Sequence, residues 1–208
     1  MPVNRRPGRT YTAALLVALS LASPVAARPE TGAPPGAPST KAVDLSQIRV
    51  DNFARVNANY YRGAQPEGGD YADLARLGIK TIINLTSDDA DATEKATAEQ
   101  AGLTYLQIPM TTRTPPTSAQ LATFLNTVND PARQPVYVHC VGGRHRTGVM
   151  TAVYRMTQDH WTPRQAFEEM KIYKYGAEFL HPEFKQFVYG YQVPVSAPEN
   201  VALSPTAH

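Results

Sequence analysis

The chain contains 208 residues, 42% of them hydrophobic, and carries a formal net charge of +2 with a single cysteine. This length allows one domain with its own core, and one cysteine excludes an intramolecular disulfide. Residues 1–27 contain three arginines and no acidic residue, so the remaining chain has a net charge of −1. Composition therefore gives no support for a nucleic-acid or membrane-surface partner.

Residues 1–27 are predicted to form a secretory signal peptide. Three arginines precede an apolar run at 13–22, and small residues at 25–27 offer a cleavage site. The run is shorter than the roughly 18 apolar residues of a membrane span, and an uncleaved N-terminal anchor is the alternative. We expect an exported protein, periplasmic or secreted, with no stable membrane span once the signal is removed.

Two segments without apolar periodicity flank one folded domain. Residues 28–45 are rich in Pro, Gly and Ala, as is typical of a flexible linker, and residues 194–208 form a tail of the same character. The domain itself is assigned to residues 46–193. Nothing in the sequence indicates an oligomeric state.

The domain begins with two short runs, at 53–56 and 60–62, which predict an edge hairpin. Three helix–strand pairs follow, with predicted ranges of 70–77 and 79–85, 92–101 and 104–108, and 117–128 and 136–139. Three more helices are predicted to begin at Arg146, Thr162 and His181. This alternation predicts an α/β fold with a central, mostly parallel sheet flanked by helices, in which ligands bind beyond the carboxyl ends of the strands.

The most informative segment is the cysteine loop, residues 140–146, which joins the strand at 136–139 to a helix. Gly142 and Gly143 let the backbone curl so that successive N–H groups point inward at a helix N-terminus, which suits a tetrahedral oxyanion. The helix dipole and the two arginines of the loop favour the thiolate form of Cys140. A thiolate below a bound phosphoryl group is a nucleophile.

The sequence HCVGGRHRTG at 139–148 resembles the active-site segment of the cysteine-dependent tyrosine and dual-specificity phosphatases. Two further segments, YRGAQP at 61–66 and LGIKTIINL at 77–85, are similar in kind and order to the atypical bacterial and plant or fungal dual-specificity phosphatases. The resemblance extends over about residues 50–190. It implies a phosphatase-like fold with the N-terminal hairpin at one edge.

By this resemblance Cys140 attacks phosphorus and forms a cysteinyl-phosphate intermediate, which water then hydrolyses. Arg146 binds two equatorial phosphoryl oxygens, Thr147 gives its hydroxyl to the departing thiolate, and His139 orients the loop through hydrogen bonds. Because phosphoryl transfer needs mainly positioning and charge stabilisation, neither a metal nor another cofactor is expected. The remaining predicted substrate-binding residues are Val141, Gly142, Gly143, Arg144 and Arg113.

The general acid is where this chain departs from the family pattern. In the family it is most often an aspartate on the loop that here spans residues 109–116, and this loop contains no carboxylate. In a related branch the acid lies one residue before the arginine, where this chain has His145. His145 can donate a proton near neutral pH, or it is a substrate-facing donor or an exposed spacer. Asp88 and Asp89 are the alternative acids.

The leading hypothesis is an exported phosphomonoester phosphatase whose substrate is a phosphotyrosine-type ester, an inositol phosphate or a phosphoinositide. Four basic residues are candidates for a rim that binds additional phosphates, or they are ordinary surface charges: Arg113, Arg144, Lys171 and Lys174. The missing carboxylate motivates a catalytically weak phosphate-binding module of the same fold as an alternative. Sulfur transfer and arsenate reduction are further alternatives, although arsenate reduction usually needs additional cysteines.

Overall fold

The computed structural model describes residues 45–87 and 89–194. The predicted signal peptide lies outside the described residues, as do all but residue 45 of the predicted linker and all but residue 194 of the predicted tail. Asp88, one of the two alternative acids, also lies outside them. Within the described part of the chain, no helix has both the length and the apolar character needed to cross a membrane.

The described residues form five strands and six α-helices in an order close to the predicted one. The strands are β1 (Ala54–Arg55), β2 (Tyr60–Gly63), β3 (Thr81–Asn84), β4 (Thr104–Gln107) and β5 (Val136–His139). The helices are α1 (Asp70–Arg76), α2 (Glu94–Gln100), α3 (Ser118–Val128), α4 (His145–Gln158), α5 (Pro163–Ile172) and α6 (Pro182–Gly190). Short 3-10 turns at Leu45–Gln47 and Glu178–Leu180 complete the set.

The five strands form one sheet in the order β1-β2-β5-β3-β4. Strands β1 and β2 are antiparallel, whereas β2, β5, β3 and β4 run parallel to one another. The predicted hairpin is therefore confirmed at one edge, and β2 also pairs with the central strand β5. The predicted α/β fold with a mostly parallel sheet is confirmed as well.

Alternate residues of the inner strands face two hydrophobic layers, because side chains of a strand point to opposite faces of the sheet. On one face Ile83 and Val138 pack with residues from α3, α4, α5 and α6. On the other face Ile82 and Tyr137 pack with residues from α1 and α2. The central strands are buried on both sides, which agrees with their nearly continuous apolar sequence.

Three parallel strands end side by side at one edge of the sheet. Gly63 of β2 and Asn84 of β3 are both register partners of His139, the last residue of β5. The segments that follow these three residues therefore lie next to one another. This edge of the sheet carries Cys140, and it is where the fold predicts a ligand site.

Candidate active site

Cys140 lies at the centre of this edge, directly after β5, and its side chain is only 3% exposed. The cysteine loop then leads into α4, whose first residue is His145 and whose N-cap is Arg144. The side chain of Arg144 makes no capping hydrogen bond to the first turn of α4. The unpaired N–H groups and the positive end of the helix dipole are thus available to an anion beside the thiol.

The carbonyl groups of residues 141–143 are all bound from outside the loop. The backbone N–H of Gln65 donates to the first of them at 3.1 Å. Asn52 Nδ2 donates to the second and third at 3.3 and 2.9 Å. Arg62 Nη2 also donates to the third, at 2.6 Å. Because these carbonyls are turned outward, the N–H groups of the same peptides face the inside of the loop, as an oxyanion site requires.

Gly143 is the position where the loop depends on glycine. Its φ is +63°, in the left-handed region that residues with a Cβ rarely adopt. A Cβ at this position would also lie 2.4 Å from the carbonyl oxygen of Gly63. The loop can therefore pack against β2 only with glycine here. Gly142 is less constrained, since a Cβ there would first meet the side chain of Arg144 at 3.3 Å.

The guanidinium of Arg146 is held by two neighbouring loops. Its Nη1 and Nη2 each donate to one carboxylate oxygen of Asp89 at 2.7 Å, and Nη1 also donates to the carbonyl of Met110 at 3.1 Å. The Asp89 carboxylate thus occupies the end of the guanidinium and leaves the side that carries Nε for a second two-point contact. The hydrogen bonds from Arg146 lower the pKa of Asp89 against the opposing effect of its partial burial.

Asp89 is consequently ionised over the neutral pH range, and it lacks the proton that a general acid must give. Its contacts match those of a residue that fixes the orientation of Arg146. The role of alternative acid predicted for Asp89 conflicts with this geometry.

His139 is completely buried and contacts a residue that sequence reasoning did not find. Its Nε2 lies 2.8 Å from Oε1 of Glu94, which is also completely buried. The contact lacks hydrogen-bond geometry, and neither ring nitrogen has a hydrogen-bond partner among the described residues. Burial raises the pKa of Glu94, but the contact with His139 and the hydroxyl of Tyr105 outweigh it, so the net pKa is lowered. His139 therefore contacts the Glu94 carboxylate beneath Cys140, and its ring makes none of the predicted hydrogen bonds to the described residues of the loop.

His145 is directed toward the C-terminal helices. Its Nε2 lies 2.8 Å from the carbonyl oxygen of Tyr175, and its ring packs against those of His181 and Phe184. Burial lowers the pKa of His145, and the proximity of His181 lowers it further against the effect of the Tyr175 carbonyl. A neutral imidazole whose Nε2 proton is donated to a backbone carbonyl has no proton free for a leaving group there. The predicted acid role of His145 conflicts with this position, which is a packing position.

The other predicted site residues divide between the loop and the surface. Thr147 is completely buried in the first turn of α4, and its hydroxyl has no hydrogen-bond partner among the described residues. Val141 is 49% exposed beside Cys140, and Arg144 is exposed at the start of α4. Arg113 is exposed in the segment between β4 and α3.

Two of the four basic residues of the predicted rim are paired with carboxylates. Lys174 donates to Asp51 at 2.6 Å, and Lys171 lies 2.7 Å from a carboxylate oxygen of Glu168. A cavity of about 450 Å³ adjoins the cysteine loop at Val141 and Gly142. It is lined by five acidic residues and one basic residue: Asp51, Glu67, Asp70, Asp89, Asp91 and Arg49.

A family model described as "DSP-PTPase phosphatase fused to NAD+ Kinase" matches residues 36–185, which is more than half of the chain. The chain belongs to this phosphatase family. Its resemblance to the atypical dual-specificity phosphatases is thereby confirmed, and sulfur transfer and arsenate reduction lose their support.

Two relatives illustrate the range of the family. The dual specificity protein phosphatase TpbA of Pseudomonas aeruginosa (strain UCBPP-PA14) is 33% identical over 171 residues, which are 82% of this chain and 74% of TpbA. The inositol diphosphatase SIW14 of Saccharomyces cerevisiae is 28% identical over 138 residues, 64% of this chain and 49% of SIW14. The chain is an enzyme of the tyrosine and dual-specificity phosphatase type, as predicted.

Solved structures share the fold. The crystal structure of P. aeruginosa TpbA has a TM-score of 0.59 at 30% identity, covering 73% of this chain and 89% of that chain. The core catalytic domain of SIW14 in complex with citrate has a TM-score of 0.59 at 26% identity, covering 69% and 86%. A TpbA variant in complex with phosphotyrosine has a TM-score of 0.58 at 30% identity, covering 72% and 88%.

Sequence reasoning missed the residues that support the loop from behind. Arg62 and Gln65 lie in the segment at 61–66, which the resemblance singled out without giving either residue a role. Asn52 and Glu94 carried no local signal, because each contacts the loop region from a distant part of the sequence. In the structure Asn52 has a φ of +57°, a conformation that asparagine tolerates better than most residues.

Proposed function

We propose that this enzyme is an exported phosphomonoester phosphatase that forms a cysteinyl phosphate on Cys140 and prefers phosphotyrosine-type esters. The observation that carries the proposal is the loop over Cys140, in which the carbonyls of residues 141–143 are bound from outside and the peptide N–H groups face inward. Arg146 completes the site, because Asp89 orients its guanidinium through Nη1 and Nη2 and does not occupy the side that carries Nε.

In the proposed reaction, the loop N–H groups and Arg146 bind the equatorial oxygens of the phosphoryl group. The Cys140 thiolate attacks phosphorus in line, so the S–P bond forms as the bond to the ester oxygen breaks and the leaving group departs with its electron pair. Water then attacks the same phosphorus, the S–P bond breaks, and phosphate and the thiolate are released. Thr147 donates its hydroxyl to the thiolate as it departs. The scheme uses only groups of this chain.

The choice of leaving group follows from the lack of a proton donor among the candidate acids that the structure describes. The segment 109–116 has no carboxylate, Asp89 is ionised on Arg146, and the Nε2 proton of His145 faces the Tyr175 carbonyl. Substrates whose leaving oxygen is stable without a proton are therefore favoured. A phenol, with a pKa of about 10, meets this condition far better than the alkyl alcohol of a serine phosphate. A diphosphate ester, whose leaving group is a phosphate monoester anion, also meets it.

Phosphotyrosine and inositol diphosphates are thus the two candidate substrate classes. A variant of the relative TpbA has been solved in complex with phosphotyrosine, and the relative SIW14 is named an inositol diphosphatase. The charge of the surface around the cysteine loop favours one of these two substrate classes over the other. Five of the six charged residues that line the cavity beside the loop are acidic, and Lys171 and Lys174 are paired with acidic residues. This surface opposes a substrate with several additional phosphates and suits a phosphotyrosine side chain on a neutral or basic peptide.

The proposal is tested by a substrate panel with the wild type and Cys140→Ser. The panel contains a phosphotyrosine peptide, a phosphoserine peptide, an inositol diphosphate and a phosphoinositide. We expect the highest kcat/KM for the phosphotyrosine peptide, vanadate inhibition, and no turnover by the serine variant. Faster hydrolysis of the inositol diphosphate would contradict the substrate assignment. Tight phosphate binding without any turnover would favour the weak binding module.

Export is proposed from residues 1–27 and is tested separately. We expect the N-terminal sequence of the mature protein, recovered from a Gram-negative host, to begin after residue 27 and the protein to leave with the periplasmic or secreted fraction. Recovery of the full-length chain from the cytosol would contradict export without touching the enzymatic proposal.

A further inference from the structure

Arg62 is a buried cation whose charge no acidic side chain neutralises within the described residues. It is 0% exposed in β2, beside the central strand β5. Its Nη2 donates to the carbonyl of Gly143, and its guanidinium lies over the ring of Tyr173, 4.1 Å from the centroid. The described residues provide no partner for Nε or Nη1.

Such an arrangement is expensive, because a buried charge normally needs an opposite charge or a full set of hydrogen bonds. A neutral side chain that donates one hydrogen bond to Gly143 would cost less. Burial lowers the pKa of Arg62, and the nearby Tyr60 and Glu169, neither of which pairs with Arg62, oppose this shift only in part. The surplus positive charge therefore lies behind the loop that receives an anion on its other side.

Two contacts fix Arg62 and the loop to the same place. Asn52 Nδ2 donates to the carbonyl of Gly143, and it also donates to the carbonyl of Tyr173 at 3.0 Å. Tyr173, at the end of α5, thus carries both the ring below Arg62 and the backbone carbonyl that positions Asn52. The Gly143 carbonyl thus accepts hydrogen bonds from Asn52 and Arg62, and both of these donors also contact Tyr173.

We propose that Arg62 is a positioning residue for phosphate binding, which turns the Gly143 carbonyl outward and adds its unneutralised charge to the attraction of the loop for an anion. Arg62 itself does not touch the phosphate. The inference rests on the proposed function for the identity of the anion. It assigns a role to the arginine of the segment at 61–66, which the reaction scheme above does not use.

The test compares Arg62→Lys, which keeps the charge, with Arg62→Gln, which keeps a donor without the charge. The readout is the Kd of inorganic phosphate for the folded protein, measured by titration calorimetry. We expect Arg62→Gln to weaken phosphate binding by roughly tenfold or more, and Arg62→Lys to lie between it and the wild type. A smaller loss for Arg62→Gln, or an Arg62→Lys variant that binds no better than Arg62→Gln, would overturn the proposal.

Arg155→Gln is the matched control, because Arg155 is another largely buried arginine stacked on an aromatic ring, that of Trp161. It pairs with Glu169 on α5 and does not contact the cysteine loop. We expect this variant to lower the unfolding temperature and to leave the Kd of phosphate unchanged; weakened phosphate binding in it would count against a specific role of Arg62. Turnover of para-nitrophenyl phosphate by the wild type tests the proposed function alone, so its failure is distinguishable from a failure of the Arg62 proposal.

Discussion

Asp89 and Arg146 are joined through both carboxylate oxygens, with Oδ1–Nη1 and Oδ2–Nη2 distances of 2.7 Å. The carboxylate comes from the segment after β3 and the guanidinium from the first turn of α4, so the contact connects two edges of the site. It uses the end of the guanidinium and leaves the Nε side for a substrate. The residue predicted as an alternative acid is thereby placed as a support for the phosphate-binding arginine.

The first prediction separates these two roles with Asp89→Asn. If Asp89 only orients Arg146, kcat/KM falls by roughly tenfold for every ester, since part of a partly exposed ion pair is lost. The measurement compares para-nitrophenyl phosphate with phenyl phosphate, whose leaving group is poorer. Asp91→Asn is the control, because Asp91 lies on the same segment and binds Thr93 instead. A loss confined to phenyl phosphate would identify Asp89 as the acid.

The second prediction concerns His145→Ala. We expect the ratio of rates on the same two esters to stay at its wild-type value, because the ring packs against His181 and bonds to Tyr175 away from a leaving group. The free energy of unfolding should fall by about 1–2 kcal/mol through lost packing and one hydrogen bond. Selective loss of phenyl phosphate hydrolysis would restore the acid role.

The pH dependence of stability gives the same variant a second readout. The pKa of His145 is lowered in the folded state from an ordinary value of 6.5, mainly by burial. At a pH between the folded-state pKa of His145 and 6.5, the unfolded chain binds more protons than the folded chain. The free energy of unfolding therefore decreases as the pH falls below about 6.5. The difference in unfolding temperature between the wild type and His145→Ala should therefore be largest above pH 6.5 and narrow below it. A difference that widens on acidification would contradict the lowered pKa.

The third prediction is a pair of glycine substitutions. Gly143→Ala should reduce the free energy of unfolding by at least about 2 kcal/mol and abolish phosphate binding, because its positive φ and the approach of Gly63 both exclude a Cβ. Gly142→Ala should be far milder, since only the mobile end of the exposed Arg144 side chain must move. Thermal unfolding and the Kd of phosphate check both. Equal effects of the two substitutions would refute the described loop conformation.

The cysteine loop illustrates how far the sequence predicts the molecule. The strand before it was predicted with its exact ends, and α4 begins one residue earlier than predicted, because strand residues, glycines and helix periodicity are local signals. Thr117 and Thr162 each form a capping box, which is another local signal, and α3 and α5 follow them directly, close to the predicted starts. The parallel order of the sheet followed from the alternation of elements.

Side-chain partners were less predictable, since they depend on the packing of distant segments. Asp89 meets Arg146 across 57 residues, and Arg62 meets Gly143 across 81. His145 has a sequence position that suggested a proton donor, yet the packing of the C-terminal helices turns its ring toward Tyr175. A motif was thus enough to predict Cys140 as the nucleophile, whereas the supports of the loop required the assembled fold.

The fourth prediction uses the buried hydroxyl of Thr147, which lacks a hydrogen-bond partner among the described residues. Thr147→Val removes this hydroxyl at nearly constant volume, so the unfolding temperature should stay the same or rise. Steady-state kcat should fall by roughly tenfold, because the departing thiolate loses a hydrogen bond. The initial burst of para-nitrophenol should persist. An unchanged kcat would remove Thr147 from the mechanism.

Trapping the cysteinyl phosphate on Cys140 tests the proposed reaction at its defining intermediate. The wild type is mixed rapidly with para-nitrophenyl phosphate, quenched in alkaline denaturant, digested and analysed by mass spectrometry, with Cys140→Ser treated in parallel. We expect one phosphoryl group on the peptide that contains Cys140 in the wild type, formed at the rate of the initial burst of para-nitrophenol, and none at this position in the serine variant. Turnover by the wild type with no phosphoryl group on Cys140, or undiminished turnover by Cys140→Ser, would contradict the proposed reaction.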